Sequence, residues 1–142
     1  MTPALVDTGD WYALADTSDR HHEEARGFYG ERAGQIPFVT TDLILAESWA
    51  LIGSHLGRPA ALTFWDTLRE TRIPILTADS IDLEAAWRIA QAFSDQSFSF
   101  VDCVTFAMME RQGIHEAFAF DAHFLVYRFG PARQRAFRRL PR

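Results

Sequence analysis

Short apolar runs alternate with longer stretches in which apolar residues recur every three or four positions. That alternation of strand and helix signals predicts an α/β domain with a mostly parallel sheet. Pro3–Asp7 (PALVD) reads as a first strand, and Asp10–Ala15 (DWYALA) and His22–Ala33 as helices, the second with Asp19 or Ser18 as a cap. Ile36–Thr40 (IPFVT) is expected to be extended, because Pro37 turns its predecessor away from helix. Asp42–Leu56 is predicted helical, led by a Thr41/Asp42 cap and stopped at Gly57. Pro59–Thr71 follows as a helix, with proline in its first turn. Ile73–Thr77 (IPILT) reads as a strand, and Asp79 or Ser80 caps a helix to about Phe93. After a loop at Ser94–Ser99, Ser99 opens a helix to about Gln112, ended by Gly113. Ala117–Phe120 (AFAF) is the next strand, a short helix starts from Asp121, and Ala136–Leu140 suits an edge strand.

The chain has 142 residues, 48% of them hydrophobic, which suits a single domain spanning 1–142 with its own core. Its one cysteine, Cys103, excludes an intrachain disulfide and a multi-cysteine zinc site. No apolar run approaches the roughly 18 residues of a membrane helix. The first residues lack the basic n-region of a secretory signal, so a cytoplasmic protein with no membrane attachment is expected. The formal charge of −5 is unevenly distributed. All 14 basic residues are Arg, which excludes a P-loop lysine and Schiff-base chemistry. Residues 1–121 hold eight Arg against all 19 acids, a balance of −11, whereas residues 122–142 hold six Arg and no acid. That basic end reads either as a solvated terminus or as a phosphate-contacting surface.

Most acids suit solvated helix faces (Glu23, Glu24, Glu31, Glu70, Glu84, Glu110, Glu116) or caps and turns (Asp16, Asp19, Asp79, Asp82). Four do not. Glu47 lies mid-helix with Leu43, Ile44, Ala50 and Leu51 at its i±3 and i±4 positions, so it shares an apolar face and calls for a core Arg or a metal. Asp102 lies among apolar residues, and Ser99-x-x-Asp102 also matches a capping box. Asp7 and Asp121 close two predicted strands, where parallel sheets place their ligand crevices, although each suits a helix cap too. Four carboxylates converging at one sheet edge repel one another unless a hard divalent cation, which takes oxygen ligands, lies between them. His123, two residues after Asp121, lines the same crevice or the surface. The His21-His22-Glu23-Glu24 run lacks further zinc ligands at suitable spacing and reads as a wet helix face. Cys103, Trp49, Trp65, Trp87 and most Phe read as core. Serine-hydrolase, zincin, dinucleotide and EF-hand motifs are absent.

With these residues in view, the chain resembles PIN-domain endoribonucleases, and among them VapC-type toxins of bacterial toxin–antitoxin pairs. The resemblance spans about Ala4 to Leu140 and rests on LVDTGDWYAL, TTDLILAESWAL, FSFVDCVTFAMM and EAFAFDAHF in this order. The family's four acids match Asp7, Glu47, Asp102 and Asp121, with Thr8 and Ser99 as hydroxyls that support the ligands or contact a substrate phosphate. Gly9 stands where a second small hydroxyl residue is frequent, and Ala122 where a basic one is.

The resemblance implies a three-layer α/β/α fold with a central, mostly parallel sheet of four to five strands. It implies Mg²⁺- or Mn²⁺-dependent cleavage of RNA, single-stranded or looped, by the toxin of a toxin–antitoxin pair. It also implies a cognate antitoxin and a homodimer. Two other readings stay open: a non-catalytic module docking an Arg-rich partner, and a metal-dependent phosphoesterase acting on DNA. For RNA contact in the basic end, Arg133, Arg135 and Arg139 are the residues of choice, since Arg138 would point opposite to Arg139 in a strand.

Overall fold

The computed structural model describes residues 2–141. Five short strands, β1 (Ala4–Val6), β2 (Phe38–Thr41), β3 (Ile75–Leu76), β4 (Glu116–Phe118) and β5 (Arg138–Leu140), form one sheet. Their order is β3-β2-β1-β4-β5 and every pairing is parallel. β1 sits at the centre and is buried along its whole length. That is why its sequence is an unbroken apolar run rather than an alternation.

The helices follow from the crossovers that parallel strands require. α1 (Thr8–Ala15) and α2 (His22–Arg32) join β1 to β2; α3 (Asp42–Leu56) and α4 (Arg58–Thr71) join β2 to β3. α5 (Ser80–Ala92) and α6 (Phe100–Gln112) then carry the chain back past β1 to β4, and α7 (His123–Val126) leads to β5. Because such crossovers are right-handed, the reversal places α5 and α6 on the face opposite α1–α4. Accordingly α1 packs on α2, α3 and α4, and α5 packs on α6. The order reverses between β1 and β4, and the crevice beyond their carboxyl ends is the ligand position of open α/β sheets.

Local chemistry sets the boundaries. Thr41 Oγ1 accepts the Ile44 amide at 3.0 Å and starts α3, and Gly57, at φ 94°, ends it and turns the chain directly into α4. Ser99 and Asp102 form a reciprocal capping box on α6, and Asp79 and Asp82 form another on α5. Several expected bounds shift. α1 begins at Thr8, directly after the strand, rather than at Asp10. The Asp19 carboxylate accepts the His21 amide, so α2 starts at His22 without the Asp19 or Ser18 cap. β4 covers Glu116–Phe118 rather than Ala117–Phe120, and Glu116, expected on a solvated helix, is a half-buried strand residue paired with Arg138 at 2.9 Å. The short helix starts at His123, because Asp121 accepts the His123 amide at 2.8 Å from outside it. Among the described residues, no helix is long and apolar enough to cross a membrane.

Candidate functional site

Asp7 is the residue after β1 and the residue before α1. Its amide donates to Phe118 O at 3.1 Å, which ties it to the end of β4. Its side chain makes no capping hydrogen bond, although it stands at the N-cap position. Asp121 follows β4, two strands' worth of backbone having been brought side by side. Asp102 occupies the first turn of α6. Its Oδ2 accepts the Ser99 amide at 3.0 Å, while Ser99 Oγ accepts the Asp102 amide at 3.0 Å.

His123 links two of these acids. Its Nδ1 lies 2.8 Å from Asp102 Oδ2 and 3.3 Å from Asp121 Oδ1. Ligand atoms of Asp102, Asp121 and His123 all lie within 4.8 Å of one another, close enough to share one ion. Glu47 approaches from α3. The buried stripe of that helix is Ile44, Ser48 and Ile52, so Glu47 lies half-buried on its flank, not in the core as its apolar neighbours suggested. No Arg meets Glu47 or Asp7 in an ion pair among the described residues.

The electrostatics report the crowding. The Asp7 carboxyl is pushed up to about 7, first by burial and then by the charges of Asp102, Asp121 and Glu47; the Thr8 amide opposes the rise. All four acids singled out in the sequence are thereby brought into one electrostatic cluster at the sheet's switch point. Thr8 is buried beside Asp7, and its Oγ1 has no hydrogen-bond partner.

The sequence reading passed over Asp10. It is 0% exposed, and neither carboxylate oxygen has a hydrogen-bond partner among the described residues. Burial, and then the neighbouring charge of Asp7, raise its carboxyl to about 10. Its spacing of three from Asp7 was the available signal, since one helical turn puts the two acids on the same side. The histidines also differ from expectation. His22 is buried, with Nδ1 2.7 Å from Ala13 O, and His21 stacks on Phe120 at 4.1 Å, so neither lies on a wet helix face.

The three arginines of the basic end are engaged at separate intramolecular contacts. Arg133 lies over the Phe93 ring and Arg135 over the Phe129 ring, each at 5.2 Å. Arg139 donates to Phe120 O at 3.1 Å, and its charge partly offsets the effect of burial on Asp10. Arg138 is exposed and Arg139 half-buried, as strand alternation requires; Arg142 lies outside the described residues.

The donor set fits a hard divalent cation. It offers the closely grouped Asp102 and Asp121 carboxylates, the charges of Asp7 and Glu47 beside them, and no Arg in an ion pair with Asp7 or Glu47 among the described residues. The PIN domain family matches residues 4–130. This chain belongs to the PIN-domain family. Among PIN-domain proteins it is similar to the 23S rRNA-specific endonuclease VapC20 of Mycobacterium tuberculosis. The two are 32% identical over 122 residues, covering 84% of this chain and 90% of that one. The crystal structure of the same VapC20, described as a sarcin–ricin loop cleaving toxin, superposes with a TM-score of 0.79 at 29% identity, covering 87% of this chain and 93% of that one. The structure of VapBC2 from Rickettsia felis, bound to a promoter DNA fragment, shares the fold at a TM-score of 0.66 and 8% identity, with 87% and 90% covered. The five-stranded parallel sheet with helices on both faces is thus the α/β/α fold of a VapC-type PIN domain.

Proposed function

We propose that this chain is a metal-dependent endoribonuclease and the toxin of a toxin–antitoxin pair. The observation that carries the reading is the convergence of Asp7, Glu47, Asp102 and Asp121 at the β1–β4 switch point, with Asp7 raised to about 7 by burial and by the other three. Asp7 and Asp102 would hold the ion, and Glu47 and Asp121 would help to balance its charge. Mg²⁺ or Mn²⁺ suits these oxygen donors. When bound, such an ion lowers the pKa of water and offsets charge on phosphoryl oxygens.

The protein's own contribution is orientation and proton transfer. The Ser99 amide and His123 Nδ1 both hold Asp102 Oδ2, which fixes the carboxylate plane and turns Oδ1 toward a ligand. His123 also holds Asp121. Glu47, with no ion-pair partner among the described residues, accepts the proton of an attacking water. Thr8 Oγ1, buried without a hydrogen-bond partner among the described residues, is the hydroxyl that would donate to a ligand carboxylate or to the scissile phosphate in the loaded site. Since VapC20 carries the description of a 23S rRNA endonuclease, the substrate class is RNA with unpaired or looped bases. The remaining partners are a cognate antitoxin and a second copy of the chain, in the cytoplasm.

The test uses purified protein freed of antitoxin, mixed with labelled RNA or DNA in Mg²⁺, Mn²⁺ or chelator, beside Asp102→Asn. Metal-dependent cleavage of RNA, lost in the variant, is expected. Cleavage of DNA alone would move the assignment to a DNA phosphoesterase. Cleavage by Asp102→Asn at the native rate would remove the metal-site assignment.

A further inference from the structure

Trp87, expected in the core, and Phe100 are on the surface beside the acidic cluster. Trp87 of α5 is 58% exposed and Phe100, the first residue of α6, is 64% exposed. Both line one groove of about 560 Å³ between the two helices, together with Leu83, Glu84, Phe98 and Ser99. Exposing two large aromatic rings on one groove forfeits the gain that burial would bring, so such patches mark binding surfaces.

We propose that the Trp87–Phe100 groove docks an unpaired base of the RNA substrate next to the scissile phosphate. The proposal rests on the endoribonuclease reading above. Three observations select a base as the occupant. First, the groove is continuous with the cluster. Ser99 lines it and also holds Asp102, and Phe98 lines it while packing edge-on against His123 at 5.1 Å. A strand whose phosphate sits at Asp102 therefore passes the groove within a nucleotide's reach. Second, the charge rules out a phosphate there. Among the described residues, Glu84 is the one charged residue in its lining and no Arg lines it. Third, residues 1–121 carry a balance of −11, so the acidic body cannot hold RNA by its backbone alone. Stacking on aromatic faces supplies attraction that does not depend on phosphate charge, and every base has a π face.

The experiment compares wild-type protein with Trp87→Ala, Phe100→Ala, Trp87→Phe and Trp87→Leu, using a labelled single-stranded RNA. KM and kcat are measured in Mn²⁺, Kd by anisotropy in Ca²⁺, and molecular mass by light scattering. Both alanine variants are expected to raise KM and Kd by about 5- to 150-fold, the range of base–aromatic stacking, with kcat nearly unchanged. Trp87→Phe recovers the affinity because it keeps a ring, and Trp87→Leu does not. Native KM and Kd in both alanine variants would overturn the proposal, as would full rescue by Trp87→Leu. A fall in molecular mass that tracks the loss of affinity would assign the groove to a second copy of the chain instead. Wild-type protein that binds RNA without cutting it would remove the nuclease reading alone, and the Kd values would still judge the groove. Wild-type protein that binds no RNA would overturn both.

Discussion

Two buried acidic regions of this small protein, one near each end of α6, have opposite electrostatics. Asp82, 1% exposed on α5, receives both prongs of the Arg111 guanidinium at 2.7 and 2.8 Å, along with its place in the capping box. The Arg111 hydrogen bonds hold the Asp82 carboxyl below the usual carboxylate range. Asp7 and Asp10, 7% and 0% exposed just after β1, have no such partner among the described residues, and burial raises them to about 7 and about 10. A fold that can pair a buried acid with an Arg has done so at one place and not at the other. The unpaired region is the one that faces Glu47, Asp102 and Asp121. Its repulsion is what a divalent cation would relieve, so the contrast separates an acid that holds two helices together from acids placed for chemistry.

Breaking the unpaired region should produce the largest change. Asp7→Asn is expected to lower RNA cleavage by more than the roughly 10–100-fold that follows loss of an outer partner of a metal ligand. Its metal-free melting temperature should stay level or rise, since one of several repelling charges is removed. A gel assay and a thermal melt on the same preparation check both, and a cooperative melt with undiminished cleavage would exclude Asp7 from the site. A smaller contrast is expected within the helices. Glu47→Ala should lose most activity, whereas Glu70→Ala, exposed on α4, should cleave like wild type.

Breaking the paired region should cost stability and leave the chemistry alone. Arg111→Met strands the Asp82 carboxylate, and a loss of about 1.5–3 kcal/mol is expected by denaturant titration. Cleavage per folded molecule should be unchanged; a variant that melts normally but cleaves poorly would join Arg111 to the site.

The pH dependence of Asp10 sharpens the comparison further. Its carboxyl keeps a proton in the folded protein up to about pH 10, whereas in the unfolded chain it ionises near its ordinary 3.8. Its contribution to stability is therefore full below pH 4 and is lost as pH rises toward 10. Asp10→Asn escapes that loss. Its melting temperature should exceed that of wild type by more at pH 9 than at pH 5. An equal difference at both values would show that Asp10 has found a partner in solution.

What the residues disclosed in advance followed their range of interaction. The ends of α3 depend on Thr41 and Gly57, within a turn of the helix, and the expected Asp42–Leu56 is the observed span. The Ser99–Asp102 box is equally local and was legible, as was the position of Asp7 and Asp121 after strands. Glu47 was found for a reason that needed amendment: its neighbours in sequence are apolar, but the stripe that packs inward is Ile44, Ser48 and Ile52. The Asp82–Arg111 pair joins residues 29 positions apart, and no local pattern announces it. Asp10 was missed because an acid in the first turn of a helix is ordinary dipole chemistry, and only the assembled fold shows that it is buried. Trp87 and most Phe were read as core because size and hydropathy imply burial, and neither records that the fold leaves Trp87 and Phe100 exposed.

That Asp7, Glu47, Asp102 and Asp121 form a cation site is tested most directly by calorimetric titration of Mn²⁺ into the antitoxin-free protein at pH 6 and pH 8. A carboxyl raised to about 7 must give up its proton to become a ligand. Saturable binding is expected, with more protons released at pH 6 than at pH 8, and both binding and release lost in Asp102→Asn. Saturable binding that persists unchanged in Asp102→Asn, or no binding at either pH, would contradict it.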